Sequence, residues 1–229
     1  MKNTKLILLI AVILTLTAQS FAADGEAFSK LETDKKLIAL TFDDGPHPVY
    51  TDEILKILDE YNVKATFFVI GKNAEKYPEL VRAELSAGHE VENHTYGHIF
   101  ANKTNCSAIK REISESEKVM SDICPYKFNF IRPPGGIYNS QFVDAIGDLS
   151  YSIVLWSLDT NDWKCPGADS IVNTVLSSVR PGDIVLMHDY VVGDSSTPAA
   201  LKIILPKLLD EGYKFVTVSE LMSFSESSE

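Results

Sequence analysis

Cysteine is scarce: three residues in 229, Cys106, Cys124 and Cys165, with no C-x-x-C pair among them. That spacing excludes a cysteine metal cluster and leaves room for one disulfide at most. No GxGxxG or Walker loop occurs, which argues against a dinucleotide or nucleotide role. Apolar runs of membrane-spanning length are missing too, since a helical span needs roughly 20 residues and the longest such run, Leu6 to Ala18, has 13. Basic residues are outnumbered, 21 Lys and Arg against 32 Asp and Glu, for a net charge of −11. A chain this acidic is repelled by phosphate backbones, so nucleic acid is excluded as a partner. With 45% hydrophobic and 23% charged residues, low-complexity disorder is excluded as well.

What is present begins with a targeting segment. Lys2 and Lys5 precede the Leu6–Ala18 run, and Ser20-Phe21-Ala22 closes it with small residues at its first and third positions. This order describes a secretory signal peptide over residues 1–22, cleaved after Ala22, with a retained membrane anchor as the alternative. Either way the remainder is expected outside the cytoplasm, secreted or associated with the cell wall. Residues 23–36 read as a short polar leader, 37–222 as one domain and 223–229 as a polar tail.

Within 37–222, apolar runs of strand length alternate with helical-period stretches. Strands are expected at 37–42, 65–70, 90–93, 128–132, 151–158, 183–188 and 214–218. Several are apolar throughout, such as Ile184-Val185-Leu186-Met187, as parallel strands covered on both faces are. Ile54, Ile57, Leu58 and Tyr61 mark one amphipathic helix, with Thr51 placed to cap it. A second passes Tyr77, Val81 and Leu85 and stops at Gly88. Others are expected over 107–121, 140–148, 168–179 and 197–211, the last interrupted by Pro206. The pattern is α/β, a single distorted (β/α) barrel of about seven parallel strands, with an open doubly wound sheet as the alternative.

The polar residues that carry chemistry fall at the carboxyl ends of these strands, the active-site end of a β/α barrel. Asp43 and Asp44 end the first strand. Adjacent residues on an extended segment point apart, so one can ligate a cation while the other faces substrate, and spacing leaves the two interchangeable. Alone, the pair also suits an Asp-Gly-Pro turn with a solvated carboxylate. His94 and His98 stand four apart, placing both imidazoles on one side of a helical turn; with one carboxylate they make a three-ligand site with open positions. Taken singly they read first as surface histidines, His188 as a satisfied core histidine and Arg132 as a surface cation. Asp162 and Trp163 say nothing in isolation.

In order and type, TFDDGP at 41–46, HTYGH at 94–98, RPPGG at 132–136, the Asp159–Trp163 stretch and LMH at 186–188 resemble the motifs of the NodB-homology polysaccharide deacetylases, carbohydrate esterase family four. The resemblance covers about residues 36–221 and implies a metal-dependent enzyme that removes N-acetyl groups from the N-acetylhexosamines of a polysaccharide. Peptidoglycan comes ahead of chitin-type oligomers, and an acetyl-xylan esterase or a non-catalytic glycan-binding relative stands as the alternative. It implies one divalent metal ion, zinc first and cobalt, nickel or manganese after it, held by Asp44, His94 and His98. Asp43 is then the general base, oriented by Arg132, and His188 the general acid, tuned by Asp162. Trp163 and Leu186 line the acetyl pocket. Gly135 departs from the family pattern, where an aromatic residue is common; its backbone N–H is still expected to face the oxyanion, but one wall of the sugar groove is missing. A monomer with a glycan substrate is expected. If a disulfide forms, the helix between Cys106 and Cys124 carries Cys124 to the far end of the barrel, so the bridge joins Cys106 to Cys165.

Overall fold

Leu37 to Asp43 is buried along its whole length, and such a strand needs neighbours on both edges and cover on both faces. The computed structural model describes residues 27–147, 149 and 151–226, and there this strand, β1, is the centre of the sheet. The chain continues through α1 (Tyr50–Glu60), β2 (Thr66–Val69), α2 (Gly71–Lys76), α3 (Pro78–Ser86) and β3 (Glu90–Asn93). Next come α4 (Cys106–Ile123), β4 (Phe130–Ile131), α5 (Ser140–Ile146), β5 (Ser152–Ile153) and β6 (Leu158–Asp159). The last part comprises α6 (Ala168–Ser178), β7 (Ile184–His188), α7 (Thr197–Asp210), β8 (Lys214–Phe215) and α8 (Val218–Glu226). The expected signal peptide, residues 1–22, lies outside the described residues, and among those described no helix is long and apolar enough to cross a membrane.

Among the described residues every pairing between these strands is parallel, and one isolated bridge, Lys30 to Asp183, is antiparallel. From β1 the sheet runs through β2, β3, β4 and β5 in chain order on one side, and on the other through β7 to β6. A doubly wound sheet reverses its winding at a switch point. This one goes round and returns to β1 through β7, so it is a curled barrel opened between β5 and β6. Phe28 enters that seam, donating its N–H to the Ile153 carbonyl at 2.8 Å and accepting from Leu155 at 2.8 Å, while Leu31 donates to Gly182 at 2.9 Å. Residues of the polar leader thus form part of the barrel wall.

Period-two alternation sorts β1 into two faces. Ile38, Leu40 and Phe42 join the larger apolar cluster shared with α1, α4, α6 and α7. Leu37 and Ala39 join a smaller cluster with Phe68, Phe130, Val154 and Ile184, closed off by Val218, Leu221 and Met222 of α8. Thr41 and Asp43 continue that second face, which places Asp43 at the open mouth of the barrel.

Several expectations need correction. The one strand expected over 151–158 is instead two short ones, β5 and β6, and between them the Val154 and Leu155 carbonyls accept hydrogen bonds from Arg132. Thr51 caps nothing: α1 begins at Tyr50, and the Thr51 hydroxyl accepts from the His47 N–H at 2.7 Å and donates to Asp189 Oδ2 at 2.5 Å. The tail expected from 223 is helical through Glu226, and α7 runs unbroken past Pro206. All three cysteines are free thiols: the Cys106 backbone faces Gln141, whereas Cys165 Sγ lies 3.9 Å from the Val192 carbonyl.

Candidate active site

Because the strands are parallel, their carboxyl ends open on one rim, and the residues singled out in the sequence gather there. Asp43, Asp44, His94, His98, Gly135, Trp163, Leu186 and His188 line one cavity of about 330 Å³, together with Phe100, Trp156 and Asp159. Arg132 and Asp162 do not reach it; each lies buried directly behind a residue that does.

Asp44 follows β1 with φ +76°, a left-handed conformation rare outside glycine. That turn bends its side chain back toward the histidines. Asp44 Oδ1 lies 3.4 Å from His94 Nε2 and 3.2 Å from His98 Nε2. His98 reaches this point through a loop with Thr95 (φ +65°) and His98 itself (φ +58°) left-handed, not through the helical turn expected from the four-residue spacing. His94 Nδ1 lies 2.8 Å from the Arg132 carbonyl, an acceptor only, so Nδ1 carries a proton and Nε2 is the nitrogen turned toward Asp44.

These atoms test whether a cation fits. Asp44 Oδ1 is buried without a hydrogen-bond partner among the described residues. The three ligand atoms lie within 4.8 Å of one another. Bonds of about 2.0–2.1 Å in a tetrahedron put neighbouring ligands roughly 3.3 Å apart, matching both Asp44 contacts. Electrostatics agree. Burial works against protonation of His94, but the Asp43 and Asp44 carboxylates outweigh it and raise its pKa. Burial alone would raise the Asp44 pKa, yet the close approach and charge of His94, with the charges of His98 and His188, bring it below the usual value. Burial and the neighbouring His94 lower the His98 pKa against the pull of Asp44 and Asp43. Two imidazoles and one carboxylate with a site in need of positive charge fit a divalent cation.

Asp43 does not diverge from Asp44 as far as extended geometry suggests. Its Oδ2 is 3.7 Å from His94 Nε2, while Oδ1 accepts from Arg132 Nη1 at 2.7 Å. Arg132 is completely buried, donating also to Thr41 Oγ1 (2.8 Å), the Val154 carbonyl (3.2 Å) and the Leu155 carbonyl (2.9 Å), with Phe68 4.0 Å beneath its guanidinium. So many fixed bonds make it a rigid clamp on Asp43.

Across the cavity, His188 Nδ1 lies 2.7 Å from Asp162 Oδ1, and Asp162 Oδ2 accepts from the His188 N–H at 2.8 Å and from Thr197 Oγ1 at 2.7 Å. Burial works against a charged imidazole, but the hydrogen bond and charge of Asp162, with the charges of Asp43 and Asp44, raise its pKa to about 9. The ring is a proton donor at neutral pH.

Other residues carry no sequence signal. Asn73 of α2 donates to the Asp44 carbonyl at 2.7 Å. Asp189 packs so closely on Gly45 that an added Cβ would lie 2.0 Å from its Oδ2. A second groove of about 530 Å³ leads away past Lys72, Trp163, Tyr190 and Val192.

Comparison with known proteins gives these features a family. The polysaccharide deacetylase family model matches residues 30–154. A peptidoglycan-N-acetylglucosamine deacetylase of Bacillus cereus is 42% identical over 197 residues, 85% of this chain and 92% of that protein. A solved structure of a peptidoglycan N-acetylglucosamine deacetylase superposes with a TM-score of 0.81 at 40% identity, covering 85% of this chain and 91% of that one. A family 4 acetyl xylan esterase from Clostridium thermocellum, solved with a cobalt ion, has a TM-score of 0.77 at 34% identity, covering 82% and 91%.

Proposed function

The chain belongs to the polysaccharide deacetylase family, and from that premise we propose a secreted, divalent-cation-dependent hydrolase that removes acetyl groups from the N-acetylglucosamine residues of peptidoglycan. The observation that carries the reading is the pairing of two charge-set groups across one cavity: Asp43 clamped by Arg132 on one side and His188 protonated against Asp162 on the other. Relatives that act on peptidoglycan support the substrate, and the Met1–Ala22 segment supports export.

An acetamide is a weak electrophile and water a weak nucleophile. Asp44, His94 and His98 would hold a divalent cation, zinc in our reading, which when bound would polarise the acetyl oxygen and acidify water. This chain's own residues do the rest. Asp43 takes the proton of the attacking water, and Arg132 keeps its carboxylate aimed at that position. The Gly135 N–H donates to the oxyanion, a contribution worth about 10²–10³ in rate. His188 delivers a proton to the departing nitrogen, with Asp162 and Thr197 holding its ring. Leu186 and Trp163 enclose the acetyl methyl.

The protonated His188 favours amide over ester cleavage, since an amine cannot leave as an anion while an alkoxide leaves more readily. Retention of Asp43, Asp44, His94, His98 and His188 together speaks against a purely glycan-binding role. The test is acetate release measured side by side on peptidoglycan, chitin oligomers and acetylated xylan. Release from peptidoglycan foremost is expected; release from xylan alone makes the chain an esterase, and binding without release from any of them ends the enzyme reading.

A further inference from the structure

The geometry points to Phe100 as the aromatic wall of the sugar site in this chain, in place of a side chain at position 135. The inference rests on the sugar substrate proposed above. Gly135 has φ +64°, and a Cβ added to it would lie 3.1 Å from Phe100 Cε1 and 3.7 Å from Cδ1. The ring already occupies the space that a side chain there would enter. A Cβ on Gly136 would likewise meet Trp156 at 2.9 Å, so the glycine pair is a gap into which aromatics from two other segments pack.

Phe100 is held where it is. Its ring stands edge-on to His98, centroids 5.3 Å apart at 84°, and Lys103 Nζ sits 4.9 Å from its centroid. The next residue, Ala101, is buried and accepts from Asn139 Nδ2 at 3.3 Å. Phe100 shares the cavity with His94, His98 and His188, and it is half-buried, so an apolar aromatic ring lies beside the reacting groups. A pyranose ring presents apolar C–H faces with polar edges, and a rigid aromatic surface fixes its orientation while a few polar groups fix its position. The missing wall therefore comes from the loop after β3, and with it the choice of which sugar face meets His98.

The test uses the full-length protein loaded with zinc, and an N-acetylglucosamine tetramer as probe. Removing the ring takes away roughly 50–60 Å² of apolar contact, so in Phe100→Ala the calorimetric Kd for the tetramer should weaken about tenfold. One zinc per chain should survive dialysis, and kcat/KM should fall further on the tetramer than on p-nitrophenyl acetate, which is too small to need a wall. Phe100→Tyr should bind like the parent, and Phe100→Leu, which keeps volume but not a flat face, should bind several-fold more weakly. Wild-type affinity in Phe100→Ala or Phe100→Leu overturns the proposal. So does zinc loss, or an equal fall on both substrates, because the ring would then only position His98. A parent protein that binds the tetramer without releasing acetate defeats the deacetylase reading and leaves the wall standing; one that does not bind it defeats the wall.

Discussion

Replacing Asp162 by Asn removes the charge behind His188 while leaving an oxygen for the His188 N–H. In the parent, raising the His188 pKa from the ordinary 6.5 to about 9 corresponds to roughly 3 kcal/mol of preference for the protonated ring, at about 1.4 kcal/mol per pH unit. Loss of an opposite charge at hydrogen-bond distance lowers such a pKa by about 1–3 pH units. The falling alkaline limb of kcat/KM on an N-acetylglucosamine oligomer should therefore move down by that amount in Asp162→Asn. A cation on Asp44 offsets the Asp43 and Asp44 charges, so the loaded parent's limb lies below 9 and Asp162 carries a larger share of it. Stability follows the same sign. A folded-state pKa above the unfolded one gives stabilisation that is complete below about pH 6.5 and lost as pH climbs through about 9. The Tm gap between parent and variant should thus be wider at pH 6 than at pH 10. An unmoved alkaline limb, or the same Tm gap at both pH values, would refute His188 as an acid tuned by Asp162.

Gly45→Ala drives a Cβ into the Asp189 carboxylate, which Thr51 fixes; the variant should lose roughly 2–4 kcal/mol, read as a Tm drop of about 5–12 °C. Adding Asp189→Ala should return part of that loss, a coupling that independent sites would not give. Arg132→Met strands the buried Asp43 carboxylate and two backbone carbonyls, so urea unfolding should show a loss of about 3–5 kcal/mol. Arg132→Lys, keeping the charge without the fork, should fall between the two.

The barrel was legible because buried parallel strands are apolar throughout, and because strand ends such as Phe42-Asp43-Asp44 and Leu186-Met187-His188 switch abruptly to polar residues. What escaped depends on backbone conformations or contacts that no local pattern encodes. Asp44 and His98 converge through left-handed residues, whereas extended and helical spacing rules suggested other routes to the same site. The helix α2, Gly71-Lys72-Asn73-Ala74-Glu75-Lys76, has no apolar stripe to announce it, although Asn73 braces Asp44. The Val218–Glu226 helix was hidden because its first residue reads as the end of a strand and its last as a polar tail. Thr51 resembled a cap until Asp189, 138 residues away, supplied its true partner. Phe100 lies between motifs, and only its approach to the space above Gly135 brings it to notice. Between β5 and β6 two carbonyls turn to Arg132, a long-range contact that no local pattern shows.

The central claim is that two adjacent carboxylates divide the labour, Asp44 holding the cation with His94 and His98 while Asp43, clamped by Arg132, moves the proton. Metal content after dialysis, measured on Asp43→Asn and Asp44→Asn beside acetate release across a zinc titration, tests it most directly. Asp44→Asn should lose zinc and recover part of its activity at high zinc. Asp43→Asn should keep its zinc while turnover falls by about 10²–10⁴, the usual worth of a general base, with no rescue by added metal. Zinc lost from Asp43→Asn but kept by Asp44→Asn reverses the roles, and zinc retained by both contradicts the site of Asp44, His94 and His98.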